Sequence, residues 1–177
     1  MNRLPHDIDI HTHRGEVRAD AVLCFDPVET DSLPTEGEGL VSVGIHPWNA
    51  DKATDETFEQ LERMLADPRA VAVGEAGLDR LRGPEMEVQI PVFERQIELA
   101  RRLGLPLVIH CVRAFDILTA LRKRHPDAGQ WIVHGFRGKP ELATRLLKAG
   151  IDLSYGEKFN AESYEVTPAD RRYRETD

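Results

Sequence analysis

The sequence predicts an α/β fold: a (β/α)₈ barrel of the TIM type, degenerate in its first third and truncated after the eighth strand. Three observations lead there. Eight short runs read as strands, at 7–11, 21–25, 41–45, 70–75, 105–110, 131–134, 151–155 and 171–176. Between the third and the seventh they alternate with stretches of helical period, the pattern of a parallel sheet with crossover helices. Several of the runs are apolar along their length and polar at the C-terminal end. Ile8-Asp9-Ile10 leads to His11 and His13, and Val43-Gly44-Ile45 leads to His46. Val73-Gly74 leads to Glu75, Val108-Ile109 to His110, and Ile132-Val133 to His134. Parallel barrels gather polar groups on one rim in this way.

Taken in order, the elements explain the word degenerate. Only residues 12–20 separate the first two runs, too few for the roughly dozen residues of a helical crossover. Residues 26–40, rich in Pro, Gly and acid, show no helical period. The whole chain, at 177 residues, is also shorter than the ~200–250 residues usual for such barrels. Residues 54–66 place Phe58, Leu61, Met64 and Leu65 on one helical face, and Asp67-Pro68 ends that helix. Residues 85–103 do the same with Ile90, Phe93, Ile97 and Ala100, and Gly104 is the stop. Pro91 predicts a kink or a late start there. Two further helices follow at 114–124 and 140–149, the second opened by Pro140 and closed by Gly150.

An apolar share of 41% with 31% charged residues is that of a soluble globular chain, expected as one domain over 1–177. No apolar run approaches the ~20 residues of a membrane span. Residues 1–6 contain no signal-peptide core, so a cytoplasmic location is expected, with no membrane and no obligate protein partner. A net charge of −8 argues against a broad basic groove for duplex nucleic acid. Cys24 and Cys111 sit in apolar runs and read as reduced core thiols.

His11 and His13 are two apart on a strand, so both imidazoles leave the same face and reach one ion. Asp9 shares that face and is placed to fix an imidazole tautomer. Together with Glu75, His110 and His134 on other strands, they form a set suited to divalent metal. Imidazole and carboxylate ligands admit Zn²⁺, Mn²⁺, Ni²⁺ or, less naturally, Mg²⁺. His46 is read as a neighbour of the ligands or a substrate contact, and Asp79 as an anchor for Arg80 or a loop backbone. Trp48 is read as an aromatic cap on the core ahead of the alternative of a pocket wall, and Asp116 as merely solvated. Past the strand tips stand Arg14, Arg80, Arg82, Arg113, Arg137, Lys139 and Lys158. Cations gathered there on an acidic chain predict an anionic substrate, most simply a phosphodiester, including single-stranded nucleic-acid ends. No Ser-His-Asp pattern or phosphate-cradling glycine loop offers a competing chemistry.

The motifs Asp9-Ile-His11-Thr-His13, Gly44-Ile-His46-Pro47, Gly74-Glu75-Ala-Gly77-Leu-Asp79, Ile109-His110-Cys111, Val133-His134-Gly-Phe136-Arg-Gly138 and Glu175-Thr-Asp177 resemble the TatD-like metal-dependent hydrolases of the amidohydrolase superfamily. The stretch Phe93-Glu-Arg-Gln96-Ile-Glu-Leu-Ala100 is similar to that family as well. The resemblance implies a binuclear centre, with His11 and His13 on one ion, His110 and His134 on the other, and Glu75 bridging. It further implies that Asp177 binds the first ion and handles the proton of the attacking water, which makes Glu75 and Asp177 the catalytic carboxylates. Two ions about 3.5–4 Å apart can hold a bridging water and lower its pKa towards hydroxide. The activity implied is deoxyribonuclease-like phosphodiester cleavage; the alternatives are a carboxylic ester or amide hydrolase such as a deacylase, or a catalytically impaired metal-binding barrel. Three departures stand out. His110 is followed by Cys111-Val112-Arg113-Ala114, where the family places an acid. The last run, Arg171-Arg172-Tyr173-Arg174-Glu175-Thr176-Asp177, is far from apolar. The family also continues past Asp177, so a truncated form with a loosely held last strand is expected. If Asp177 points inward, Tyr173 and Glu175 share its phase and Arg172, Arg174 and Thr176 face outward.

Overall fold

A computed structural model describes residues 2–177 and turns each of the eight runs into a strand. They are β1 Asp9–Thr12, β2 Ala21–Phe25, β3 Leu40–Val43, β4 Ala70–Asp79, β5 Leu107–Val112, β6 Trp131–Val133, β7 Ile151–Tyr155 and β8 Arg172–Arg174. All neighbours are parallel and β8 closes on β1, giving a barrel in sequence order. The helices are α1 Asp55–Leu65, α2 Met86–Leu103, α3 Phe115–Arg124, α4 Pro140–Lys148 and α5 Ala161–Val166. Expected and observed elements agree closely, with α5 added. Its six residues, Ala-Glu-Ser-Tyr-Glu-Val, are too few to display a period. A side-chain cap starts it instead: Asn160 accepts from Ser163 N at 2.9 Å.

The first third is degenerate as expected. β1 pairs directly with β2, Asp9 beside Ala21 and Thr12 beside Leu23, although residues 13–20 form no helix. The chain instead doubles back through an antiparallel bridge between Arg18 and Ala21, and Asp9 N donates to Asp20 O at 3.0 Å. A 3-10 turn, Pro47–Lys52, precedes α1. Thr54 and Thr57 cap α1 reciprocally, and its Phe58, Leu61, Met64 and Leu65 are buried.

Two expectations need correction. α2 starts at Met86 with Pro91 inside it, so the proline does not delay the helix; its ring is exposed to solvent. The last strand is not loosely held. β8 pairs with β7 at Leu153–Arg172, Ser154–Tyr173 and Tyr155–Arg174, and with β1 at Asp9–Arg174. The phase argument holds there: Tyr173 and Glu175 are buried, while Arg174 and Thr176 face solvent. Arg172, on the outer face, lies 3.9 Å over the Tyr164 ring and donates to Tyr164 O, so α5 covers it.

The core has two layers. One lies between the barrel wall and the helices and is centred on Trp131, Phe93, Ile97, Leu118 and Leu121. The other contains Leu4, Ile8, Ile10, Val22, Ala72, Val108, Ile132 and Tyr173. Val22, Val108, Ile132 and Tyr173 stand two residues before Cys24, His110, His134 and Glu175, on the same strand face. This second layer is therefore the apolar floor on which the polar rim rests.

Candidate metal centre

Five imidazoles converge on the carboxylate of Glu75. His11 Nε2 and His13 Nε2 stand 3.2 and 3.0 Å from Oε2. His110 Nδ1, His134 Nε2 and His46 Nε2 stand 2.7, 2.7 and 3.2 Å from Oε1. His13, His46 and His134 stand past the ends of β1, β3 and β6, and His11 and His110 in the last half of β1 and β5. Glu75 itself lies inside its strand, because β4 runs on to Asp79 rather than stopping at 75. The register against β5 shifts between Val73 and Ala76, and glycines make room for it. Gly77 has φ +151°, and a Cβ there would collide with His110 O. The strand can thus press against β5 and carry both Glu75 and Asp79 to His110.

Asp177 joins the His11–His13 side: its Oδ1 is 3.9 and 3.8 Å from their Nε2 atoms. Ligand atoms of His11, His13 and Asp177 fall within 4.8 Å of one another, as do those of His46, Glu75 and His110. The structure therefore brings together every residue expected as a ligand, with His46, expected as their neighbour or a substrate contact, beside them. It also adds Glu175, which sequence reasoning placed only by phase. Buried Glu175 accepts from Gly135 N at 2.9 Å and from Ser154 Oγ, and its Oε1 lies 3.6 Å from His134 Nδ1. Cys24, expected simply as a core thiol, lies against the centre. Its Sγ accepts from Glu75 N at 3.0 Å and donates to Gly74 O at 3.4 Å. Burial, reinforced by the Glu75 carboxylate, pushes that thiol's pKa up, so it stays protonated.

Three roles differ from expectation. Asp9 accepts from the main-chain N of His11 at 3.1 Å and from Thr176 N and Oγ1; it ties β1 to β8 and touches no imidazole. Arg80 forks onto Asp116 with two 2.8 Å bonds and donates to Arg113 O, so Asp116 is paired and Arg80 points away from the centre. Trp48 lines the cavity over the centre instead of capping the core. Asp79, for its part, anchors the loop as expected, accepting from Leu81 N and Arg82 N at 2.8 and 3.1 Å. Its other oxygen holds Trp48 Nε1 at 2.8 Å and His110 Nε2 at 3.0 Å. That orientation of a ring from behind is the usual outer support of a metal-ligating histidine.

Two buried glutamines on α2 brace the same rim. Gln96 accepts from Ile45 N at 2.8 Å and donates to Ile45 O at 3.0 Å, which fixes the chain just before His46. Gln89 does the same for Asp79, at 2.8 and 2.9 Å. Asp26 completes the brace by accepting from His46 N at 3.0 Å and Asn49 Nδ2 at 2.9 Å. Side-chain amides clamping main-chain groups leave no periodic signal, so only the fold reveals them.

Electrostatics and orphaned atoms test whether a cation fits. Burial pushes Glu75 up, but the imidazoles, His134 foremost, hold it well below the ordinary carboxylate range. Burial disfavours charge on His134 too; the Glu75 and Glu175 carboxylates outweigh that and raise its pKa well above normal. His11 goes the other way, lowered by burial and by His134. Both ring nitrogens of buried His11 lack a hydrogen-bond partner among the described residues, although Nε2 faces Glu75 Oε2. A neutral ring nitrogen aimed at a carboxylate oxygen repels it unless a proton or cation lies between. The donor set of imidazoles and carboxylates fits divalent metal. Above it opens a cavity of about 400 Å³, lined by His13, Cys24, Asp26, Glu29, His46, Trp48 and Asp177 among others. A second hollow of about 230 Å³ adjoins it through Asp177 and carries Arg14, Arg137 and Lys158. Arg113 is exposed with φ +51° at the end of β5 and lines neither hollow.

Known proteins share this sequence pattern and fold. A protein named 3′-5′ ssDNA/RNA exonuclease TatD from Erwinia billingiae is 35% identical over 161 residues, covering 84% of this chain and 62% of that one. The uncharacterized metal-dependent hydrolase TatD of Mycobacterium tuberculosis is 42% identical over 121 residues, 64% of this chain and 45% of its own. The chain thus spans about half to three-fifths of the length of these relatives. The crystal structure of YjjV, a TatD homologue from Escherichia coli, superposes with a TM-score of 0.76 at 28% identity, over 89% of this chain and 66% of YjjV. A family model described as TatD related DNase matches residues 29–177, and the chain belongs to that family.

Proposed function

We propose that residues 1–177 form one hydrolase domain that cleaves phosphodiester bonds at single-stranded nucleic-acid ends with two divalent ions, acting in the cytoplasm. The observation that carries this reading is the convergence of five imidazoles on Glu75 with Asp177 beside them. His11, His13 and Asp177 would hold one ion, His110 and His134 the other, and Glu75 both, with Zn²⁺, Mn²⁺, Mg²⁺ or Ni²⁺ as candidates. Such a pair, when bound, supplies a water of lowered pKa and positive charge opposite the developing phosphoryl charge.

The protein's own groups do the rest. Asp79 holds the His110 ring from behind by a hydrogen bond, and Glu175 Oε1 faces His134 Nδ1 at 3.6 Å, so both rings are oriented towards Glu75 before substrate arrives. The Asp177 carboxylate, partly open to solvent at the cavity mouth, accepts the proton given up by the attacking water. Arg14, Arg137 and Lys158 receive phosphate oxygens beside it. The relative named as an exonuclease of ssDNA and RNA supports a nucleic-acid strand as substrate.

The test is turnover of bis(p-nitrophenyl) phosphate and of a single-stranded oligonucleotide after chelation and re-addition of Mn²⁺, Mg²⁺ or Zn²⁺. Activity should return with metal and be absent in Glu75→Gln. Bound metal without cleavage of either substrate would overturn the proposal.

A further inference from the structure

Trp48 is 41% exposed, a large aromatic left open on the cavity wall rather than folded into the core. Though exposed, it is not free to swing. The 3-10 turn Pro47–Lys52 fixes its backbone directly after His46. Its Nε1 donates to Asp79 Oδ2 at 2.8 Å, the same oxygen that holds His110. The ring centroid lies 4.8 Å from that of His46 and 6.1 Å from that of His110, both edge-on. The Arg82 guanidinium stands 5.1 Å over the indole. A Cβ on Gly83 would come within 2.9 Å of Trp48 Cα, so the 80–84 loop lies directly against this turn. An indole held this firmly while exposed is pre-organised for a flat partner, because little side-chain entropy is lost when one arrives.

The other side of the centre is built differently. The hollow with Arg14, Arg137 and Lys158 meets the main cavity at Asp177. One wall therefore offers an aromatic face, the opposite wall offers cations, and the cluster around Glu75 lies between. A single-stranded terminus presents the matching order of base, scissile phosphate and next phosphate. Resting on the phosphodiesterase reading above, we propose that Trp48 is the stacking platform for the terminal nucleobase, with the strand running from it across the centre to the cationic hollow. Stacking on an aromatic face tolerates any base and requires only that one be present.

The full chain, loaded with metal, is tested on two oligodeoxynucleotides that differ only in the terminal residue, one with a base and one abasic. The wild type should prefer the base-bearing end by about 10-fold in kcat/KM, mainly through KM. Trp48→Leu, which keeps apolar bulk without a π face, should lose that preference. Trp48→Phe, which keeps the face but not the bond to Asp79, should retain most of it. In parallel, non-cleavable phosphorothioate strands are titrated while indole emission is followed. Trp131 is fully buried, so quenching reports Trp48. Quenching by the base-bearing strand alone supports the platform whether or not turnover is seen. Equal preference in wild type and Trp48→Leu, or equal quenching by both strands, overturns it. Cleavage of methyl p-nitrophenyl phosphate, which has no base, separates the two proposals: if it persists while base discrimination is absent, only the platform falls. Loss of preference in Trp48→Phe as severe as in Trp48→Leu would assign the indole to anchoring Asp79 and also overturn the proposal.

Discussion

Each end of the barrel buries a carboxylate, and the two are completed in opposite ways. At the lower end Asp152 accepts from Arg171 Nε at 2.6 Å, Gln130 Nε2 at 2.9 Å and Arg3 Nη2 at 3.0 Å. Tyr173 OH closes the network, accepting from Gln130 Nε2 at 2.6 Å. Its cations are guanidiniums, which stay charged, and its lone pairs are filled by fixed donors. At the upper rim Glu75 has imidazoles as neighbours, groups that donate when protonated and ligate when neutral. Some of their nitrogens have no partner. The comparison teaches how to read a buried acid. One that serves the fold is surrounded by permanent donors, and one that serves a ligand is surrounded by groups that can change sides.

Substitutions at the two ends should therefore separate stability from activity. Glu75→Gln is expected to remove all measurable turnover while costing much less Tm than a change at the lower end, because neutral imidazoles can both donate to and accept from the amide that replaces the carboxylate. Asp152→Ala should do the reverse. It strands two guanidiniums in a partly buried network, a loss of about 3 kcal/mol, or roughly 10 °C in Tm for a chain of this size. The folded fraction should keep its specific activity. Thermal melts paired with turnover decide the matter. A Glu75→Gln protein that melts as early as Asp152→Ala would erase the distinction between the ends.

Glu175 sharpens the comparison because it sits at the rim yet has fixed donors, Gly135 N and Ser154 Oγ. Its remaining oxygen faces His134 Nδ1, so it belongs with the ligands if it orients that ring. Glu175→Gln, nearly isosteric, is expected to weaken metal binding about 10- to 100-fold in competition with a chelator. Unchanged affinity with a lowered Tm would move Glu175 to the structural class. The clamp on β3 lies one step further out. Gln96→Leu leaves Ile45 N–H and C=O unpaired and should destabilise by about 2 kcal/mol. Turnover should fall with it, since His46 follows directly.

How much of this was legible in the sequence depended on the range of the signal. Strands and ligands declared themselves together, because apolar runs ending in His11, His46, His110 and His134 need only local reading. Glu75 was found for the same reason, although its strand was cut short at 75. Gly77 stands in the sequence only as part of a motif, because its close approach to His110 O exists only once β4 and β5 pair. Arg80 reads as a rim cation because Asp116 lies a helix and a strand away, and their fork is a tertiary fact. Asp9 shared the phase of His11 and His13, but the closing strand claimed its carboxylate through Thr176. Residue type favours a core thiol for Cys24 and, ahead of a pocket wall, a core aromatic for Trp48. Position on the rim overrode type in both.

The smallest expected effect lies in the helix-poor first third, where a charge pair is neither buried like Asp152 nor ringed by imidazoles like Glu75. Arg69 binds Asp67 through Nη2 at 2.7 Å and Nε at 2.9 Å, and reaches Pro34 O and Gly37 O at 2.8 and 3.3 Å. It thereby ties the irregular segment before β3 to the entry of β4. Its side-chain and main-chain N–H groups hold the Asp67 carboxyl down at about 2. The unfolded carboxyl titrates near about 3.9, so the folded state favours the ionised form. That stabilisation is complete above about pH 4 and disappears as the pH falls through about 2. Solvent screening keeps it small, so Asp67→Asn should lower Tm by no more than about 2 °C at pH 6. Wild type and variant should melt together near pH 2. A difference that persists there would mean that shape, not charge, holds the segment, and the open pair would then resemble the permanent network at the barrel floor.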